Sequence, residues 1–281
     1  MKRGTLYVLS TPIGHLGDFS FRGLEVLRQV AVVAAEDTRR TRRLLAHYDV
    51  SSEVVSLHAH SSPEAIERVL DRVEGGEDVA YATDAGTPGI SDPGAALAAR
   101  AHERGLPVVP IPGPAAVIAA LAAAGFPADR FVFAGFLPRK GTGRAALLAR
   151  LAAESWTTVC YEAPSRTVAL LRDLAAACGP ERPAAVAREL TKLHEEVRRG
   201  TVGELARYYE QHPPRGEVTI VVGGAPRGGG KAAEAAPEGE FEARELVAAM
   251  RADGSAPGAI AKELAQRLGI SRHDAYRLLT R

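Results

Sequence analysis

The chain has 281 residues, 46 % of them hydrophobic, with a formal net charge of +1, which is enough apolar material for one large or two modest cores and a small appendage. It contains no run of about eighteen apolar residues that could cross a bilayer, and Met1-Lys2-Arg3-Gly4 passes straight into LYVLS with no leader pattern, so a soluble, cytoplasmic protein without a membrane partner is expected. Cys160 and Cys178 are its only cysteines, which argues against a disulfide framework or a zinc knuckle.

In chain order, short apolar runs recur between helical stretches: Leu6–Leu9, Val30–Ala34, Val54–Leu57, Val79–Ala82 and Val108–Ile111. This is the signature of βαβ repetition and a mostly parallel sheet. Nearly every run ends in Gly, Pro, Asp or Glu, which gathers the polar chemistry on one sheet edge, where open α/β sheets bind their ligands. After the Ala-rich stretch Ala115–Ala124 the pattern restarts with Phe131–Ala134, Thr157–Tyr161, Ala184–Ala187 and Val218–Val222. A two-domain α/β fold is therefore expected, with domains over 1–117 and 118–223. Residues 224–239 lack bulky apolar side chains and read as a flexible linker. Residues 240–281 read as a helical tail in which one helix ends at Gly269 and Ser271 caps the next, like a helix-turn-helix.

The densest loop is TDAGTPGISDPG, Thr83 to Gly94, directly after an apolar run. A surface turn needs only a few such residues, so twelve in a row indicate a ligand loop in which backbone amides come close to the bound group. Ser10–Asp18 and Pro110–Ala116 have the same character. Tyr161–Arg166 and Arg188–Glu196 place ionisable groups on strand ends of the other half, so a cleft between two domains is expected. No Walker loop, no G-x-G-x-x-G after the first strand and no G-x-S-x-G occurs, which excludes a P-loop NTPase, an ordinary dinucleotide dehydrogenase and a serine hydrolase of that type. His58-Ala-His60 has no third ligand beside it, so no metal is expected; either one imidazole points inward or both are exposed.

Charge is uneven. Between Arg28 and Arg43 five arginines face only Glu36 and Asp37, which suits an anionic partner, although a solvated helix face laced with ion pairs would look the same. From Ser255 on, Lys262, Arg267, Arg272, Arg277 and Arg281 outnumber Glu263 and Asp274. Nucleic acid or a small packing unit would both account for that excess.

Taken together, STPIGHLGD at 10–18, EDTR at 36–39, TDAGTPGISDPG at 83–94, PGPAA at 112–116, GFLPRKG at 135–141, YEAPSR at 161–166 and ARELTKLHEE at 187–196 resemble the ribosomal RNA small subunit methyltransferase I family of the tetrapyrrole methylase superfamily. The resemblance implies S-adenosylmethionine (S-adenosyl-L-methionine) as methyl donor, 2′-O-methylation of a cytidine in the decoding centre of 16S rRNA within the small ribosomal subunit, and a homodimer with the cofactor between two α/β domains. Carried over by position, it implies cofactor contacts at Pro12, Ile13, Gly14, Thr87, Ile90, Ala115, Ala116, Tyr161, Glu162, Ala163 and Leu190. The family commonly has Asn at the position of His15, Leu at Gly89 and His at Ser165, so no histidine at 165 can serve as an acid or base here.

A sulfonium methyl is already activated, so alignment of the acceptor supplies most of the rate and a base adds to it. Candidate bases are Asp37, Asp84, Asp92, Glu162, Glu189 and Glu195, with Lys192 if burial depresses its pKa. Asp37, Glu189 and Lys192 are taken as the catalytic set, and Glu36, Arg39, Arg40, Arg166 and Arg272 as the RNA side. Asp37 would equally serve as a helix N-cap, and Glu189 with Lys192 as a domain-interface ion pair. Two other readings remain: a methyltransferase of the same superfamily acting on a tetrapyrrole or other small acceptor, and a non-enzymatic nucleic-acid-binding regulator.

Overall fold

The structure, a computed structural model, describes residues 3–90, 92–226, 250, 255–268 and 275. The chain forms two compact units, Met1–Ala225 and Pro226–Arg281. In the first unit, β1 (Leu6–Leu9), β2 (Val32–Ala35), β3 (Glu53–Ser56), β4 (Val79–Ala82) and β5 (Val108–Ile111) make a sheet of order β3-β2-β4-β1-β5 in which every neighbouring pair is parallel.

Side-chain alternation explains the continuous apolar runs. Val32, Ala34, Val79 and Tyr81 pack on one face with α3 (Pro63–Glu74) and α4 (Gly94–Glu103). Val33, Ala80 and Ala82 pack on the other with α1 (Phe21–Gln29) and α2 (Thr38–His47). Because helices cover both faces, every residue of β2 and β4 is buried, and neither strand tolerates the polar half of an amphipathic pattern. The chain leaves β1 toward one layer and β4 toward the other. A crevice therefore opens between the carboxyl ends of these adjacent strands, the switch point at which doubly wound sheets bind ligands.

β6 (Phe131–Phe136), β7 (Thr157–Glu162), β8 (Pro183–Arg188), β9 (Glu196–Thr201) and β10 (Val218–Val222) form the second sheet, of order β6-β7-β10-β8-β9. Only β6 and β7 are parallel; β10 runs antiparallel to β7 and β8, and β9 antiparallel to β8. One face packs against α6 (Thr142–Ala153), α7 (Pro164–Cys178) and α8 (Val202–Gln211). The Ala-rich helix α5 (Ala116–Ala124) lies on the other, where Ala120 and Ala124 are fully buried against Val159, Ala185, Ala187 and Val221. The small side chains let the helix sit close to the strands, and it stops at Gly125, which takes a left-handed φ of 64°.

Differences from the expected elements have local causes. β2 starts at Val32 because Val30 closes α1 as its C-cap. β9 reads EVRRGT, a half-exposed edge strand whose charges disguise it. His58 and His60 are both exposed. In the second unit α9 spans Pro257–Leu268. The expected turn at Gly269, cap at Ser271, Arg272 and linker residues 227–239 lie outside the described residues.

Leu170 is fully buried in the core beneath α7. Leu170→Ala is predicted to lower stability by about 2–5 kcal/mol in urea or thermal unfolding. A change well below this would show that the α7 layer does not anchor the second sheet.

Candidate functional site

The loop after β1 and the loop after β4 are joined by main chain. Thr11 and Gly86 exchange both hydrogen bonds, Thr11 N–H to Gly86 O at 2.9 Å and Gly86 N–H to Thr11 O at 3.0 Å. Gly86 takes φ +89°, a conformation that side chains disfavour. Hydroxyls extend the stitching: Ser10 Oγ donates to Thr87 Oγ1 at 3.0 Å, and Thr87 Oγ1 donates to the Pro114 carbonyl at 3.0 Å. Thr11 Oγ1 also donates to the Thr83 carbonyl at 3.1 Å. Three loops that the sequence marked separately thus form one rim. In the Thr83–Gly94 loop, of which residue 91 lies outside the described residues, Asp92 accepts from the backbone N–H groups of Gly89, Ile90 and Gly94 at 2.7–3.2 Å.

The second half reaches this rim at Gly14. A Cβ at Gly14 would stand 2.6 Å from both Lys192 Cγ and Thr191 Oγ1, and 3.1 Å from the Leu190 carbonyl. The His15 N–H donates to Thr191 Oγ1 at 2.9 Å. Glu189 and Thr191 both have left-handed backbones, φ 50° and 64°, which costs of order 1–3 kcal/mol each for non-glycine residues and is typical of segments held for function. Lys192 Nζ fixes the turn by donating to Glu189 Oε1 and Glu217 Oε2, both at 2.9 Å. Beside the contact, Ile90, Ala115, Tyr161 and Leu190, drawn from both halves, are half-buried against the core that contains α5.

Electrostatics separate the expected catalytic residues. Asp37 caps α2 by accepting the Arg39 N–H at 2.8 Å, and it grips the Arg39 guanidinium through both oxygens. The Arg39 side chain holds this carboxyl well below the usual carboxylate range, which leaves a weak base. Glu189 is lowered by its bond to Lys192. For Lys192 itself burial, the largest effect, pulls the ammonium down, but Glu217 and Glu189 outweigh it and the net shift is upward. The condition under which Lys192 would serve as a base, a pKa depressed by burial, is not met. Asp84 behaves oppositely. Burial first, then the Glu36 carboxylate, push it up, against the Asp37 N–H and Arg40.

Glu36 is tied inward, accepting from Thr83 Oγ1 at 2.7 Å and the Asp84 N–H at 3.2 Å. These bonds tie it to the β4 loop through one oxygen, Oε2. Glu162 is buried, with Oε1 accepting the Ala163 N–H at 2.9 Å and bonded to Arg166. Arg166 is occupied by this ion pair at Oε1, while the buried Oε2 has no hydrogen-bond partner among the described residues. Arg39 and Arg40 stay exposed at the start of α2. Asp84, Arg40, Arg43, Leu16, Leu44, Lys192 and Glu217 line a cleft of about 330 Å³ together with Thr11–Gly14, Thr41, Thr83 and Ala85. Sequence reading named Arg43 only within the basic Arg28–Arg43 segment and did not single out Glu217 or the Ser10–Thr87–Pro114 stitch. Arg43 sits one helical turn from Arg39 on α2 and was visible in that spacing; the pairing of Lys192 with Glu217 joins distant segments and left no local signal.

Residues 5–206 match the Tetrapyrrole (Corrin/Porphyrin) Methylases family, so the two sheets and the loop rim define a methylase of that class. A ribosomal RNA small subunit methyltransferase I of Synechocystis sp. is 41 % identical over 98 % of this chain and 97 % of its own. One of Pseudomonas aeruginosa is 47 % identical, covering 81 % and 82 %. The chain belongs to the ribosomal RNA small subunit methyltransferase I family. The fold is also that of a Thermus thermophilus uroporphyrin-III C-methyl transferase complexed with S-adenyl homocysteine, at TM-score 0.56 and 18 % identity, covering 78 % of this chain and 97 % of that one.

A carboxyl whose pKa rises on folding disfavours the folded state once ionised; the cost is absent below its unfolded pKa and appears as pH rises through the folded one. Asp84→Asn is therefore predicted to raise Tm at pH 7 and to change it less at pH 3. Equal shifts at both pH values, or a loss at pH 7, would contradict the environment assigned to Asp84.

Proposed function

We propose that the protein transfers a methyl group from S-adenosylmethionine to the ribose 2′-oxygen of a cytidine in the decoding centre of 16S rRNA, acting on the small ribosomal subunit. The observation that carries this reading is the meeting of the stitched loop rim with the Leu190–Lys192 segment at Gly14, in a chain of a family named for small-subunit rRNA methylation. The half-buried apolar ledge of Ile90, Ala115, Tyr161 and Leu190 suits the flat face of an adenosyl group. Beside it, main chain at Pro12, Ile13, Gly14, Thr87, Ala116 and Ala163 suits its polar edge. Bound there, the sulfonium supplies an activated methyl group, and the protein's part is to align the acceptor and exclude water.

Within this reading Asp37 holds Arg39 at the mouth, Glu189 and Lys192 brace the turn that presents Leu190, and Arg39 and Arg40 meet phosphates of the RNA. The reading further takes the enzyme as a cytoplasmic homodimer with domains over 1–117 and 118–223, a linker over 224–239 and an RNA-contacting tail over 240–281 that includes Arg272. No metal enters it. Among the described residues no helix is long and apolar enough to cross a membrane.

The test is incubation of the protein with labelled S-adenosylmethionine and small subunits lacking the modification, followed by alkaline cleavage. One labelled, alkali-resistant linkage in the decoding region is expected. Label in a cleavable linkage would move the target to a base, and label in a porphyrinoid but not in subunits would replace the acceptor altogether.

A further inference from the structure

We propose that the cleft beside α2 is the seat of one extruded acceptor nucleotide and that Asp84 takes the proton from its ribose hydroxyl; this rests on the 2′-O reading above. At about 330 Å³ the cleft lies at the small end of ligand sites, which run from about 300 Å³ upward. That is room for one nucleotide and not for a stacked duplex, so the acceptor must leave its stack. The lining fits such a group. Leu16 and Leu44 offer apolar surface to a base, while Arg40 and Arg43 supply positive charge for flanking phosphates; Lys192, also in the lining, is paired with Glu189 and Glu217. Arg43 has no carboxylate partner among the described residues, unlike Arg39, which Asp37 occupies. The same cleft is walled by Pro12, Ile13 and Gly14, the loop assigned to the methyl donor, so donor and acceptor sites share a wall.

Asp84 is singled out by geometry. Its Oδ1 accepts the Asp37 N–H at 2.8 Å, while Oδ2 stands 3.7 Å from Arg40 Nε, beyond hydrogen-bond length. One oxygen is anchored and the other is free to receive a proton. Among the described residues the carboxylates lining the cleft are Asp84 and Glu217, and Glu217 is paired with Lys192. Asp92 is held by three backbone amides, and Glu36 and Glu189, each accepting through one oxygen, do not line it. In the step, a lone pair of the 2′-oxygen forms the O–C bond as the methyl C–S bond breaks. The C–S electron pair stays on sulfur, leaving S-adenosylhomocysteine. The hydroxyl proton passes to Asp84 Oδ2 and from there to water, so one proton is released for each methyl group transferred. The groups that set the basicity of Asp84 are Glu36 and Asp37 at the end of β2, Arg40 on α2 and Tyr81 on β4, with Lys192 and Glu217 across the cleft.

The experiment compares wild type, Asp84→Asn, Asp84→Glu and Arg43→Gln on small subunits lacking the modification, with donor binding measured separately by calorimetry. Wild type is expected to show a rate that rises with pH; Asp84→Asn is expected to abolish that rise and to slow single-turnover methylation by about 10²–10⁴-fold with donor affinity unchanged. Asp84→Glu should recover part of the rate and its pH dependence. Arg43→Gln should raise KM for subunits and leave kcat unaltered. A wild-type rate in Asp84→Asn, or a loss explained wholly by lost donor binding, would overturn the base assignment. An unchanged KM in Arg43→Gln would overturn the nucleotide seat. Wild-type protein that binds the donor yet leaves subunits unmethylated would remove the parent reading, and that outcome is visible without any variant.

Discussion

The main-chain exchange between Thr11 and Gly86 is the constraint on which the site depends. Two loops leaving adjacent parallel strands toward opposite helix layers would ordinarily diverge. Here a pair of backbone hydrogen bonds holds them side by side, and the Ser10–Thr87–Pro114 hydroxyl chain adds the loop after β5. Because these bonds use backbone and short side chains, they leave little bulk in the crevice. The left-handed Gly86 permits the exchange, and the absent side chain at Gly14 then lets the Leu190–Lys192 segment of the second half come into contact.

Around that scaffold the charges are arranged in pairs of opposite consequence. Arg39 and Lys192 hold Asp37 and Glu189 as anions, each with its pKa lowered by the partner's hydrogen bond. Asp84 sits between the repulsion of Glu36 and the distant guanidinium of Arg40, and burial pushes its carboxyl up from the usual value. Pairs of titratable groups pushed apart by their surroundings commonly mark the division of labour in a site. The two left-handed residues flanking Leu190 are held by the Lys192 ion pairs within the second half and by the His15 and Gly14 contacts that cross from the first.

Much of the fold was legible because its signals are local. Buried parallel strands read as VVAA and VAYA, and Gly and Pro marked the loop at 83–94. The charged edge strand β9 was missed, since half-exposed EVRRGT lacks the apolar run that marks a covered strand. In the site, the loops and most of their residues were visible as motifs, but roles were not. Asp37, Glu189 and Lys192 carry suitable groups, yet whether a carboxylate is a base or a brace depends on partners such as Arg39, two residues away, or Glu217, just before β10. Glu162 looked like a ligand-facing residue and is buried under α7 with Arg166. Sequence position reveals which loop a residue occupies; the side on which it points is decided by packing.

The central claim is that a single ligand site is built from both halves around the Thr11–Gly86 exchange and the Gly14–Thr191 contact. Amide hydrogen exchange of the full chain with and without S-adenosylhomocysteine tests it most directly. The account predicts simultaneous added protection at Ile13–Gly14, Gly86–Ile90, Ala115–Val117 and Leu190–Thr191. Protection confined to the segments of one half, with the other unchanged, would contradict it.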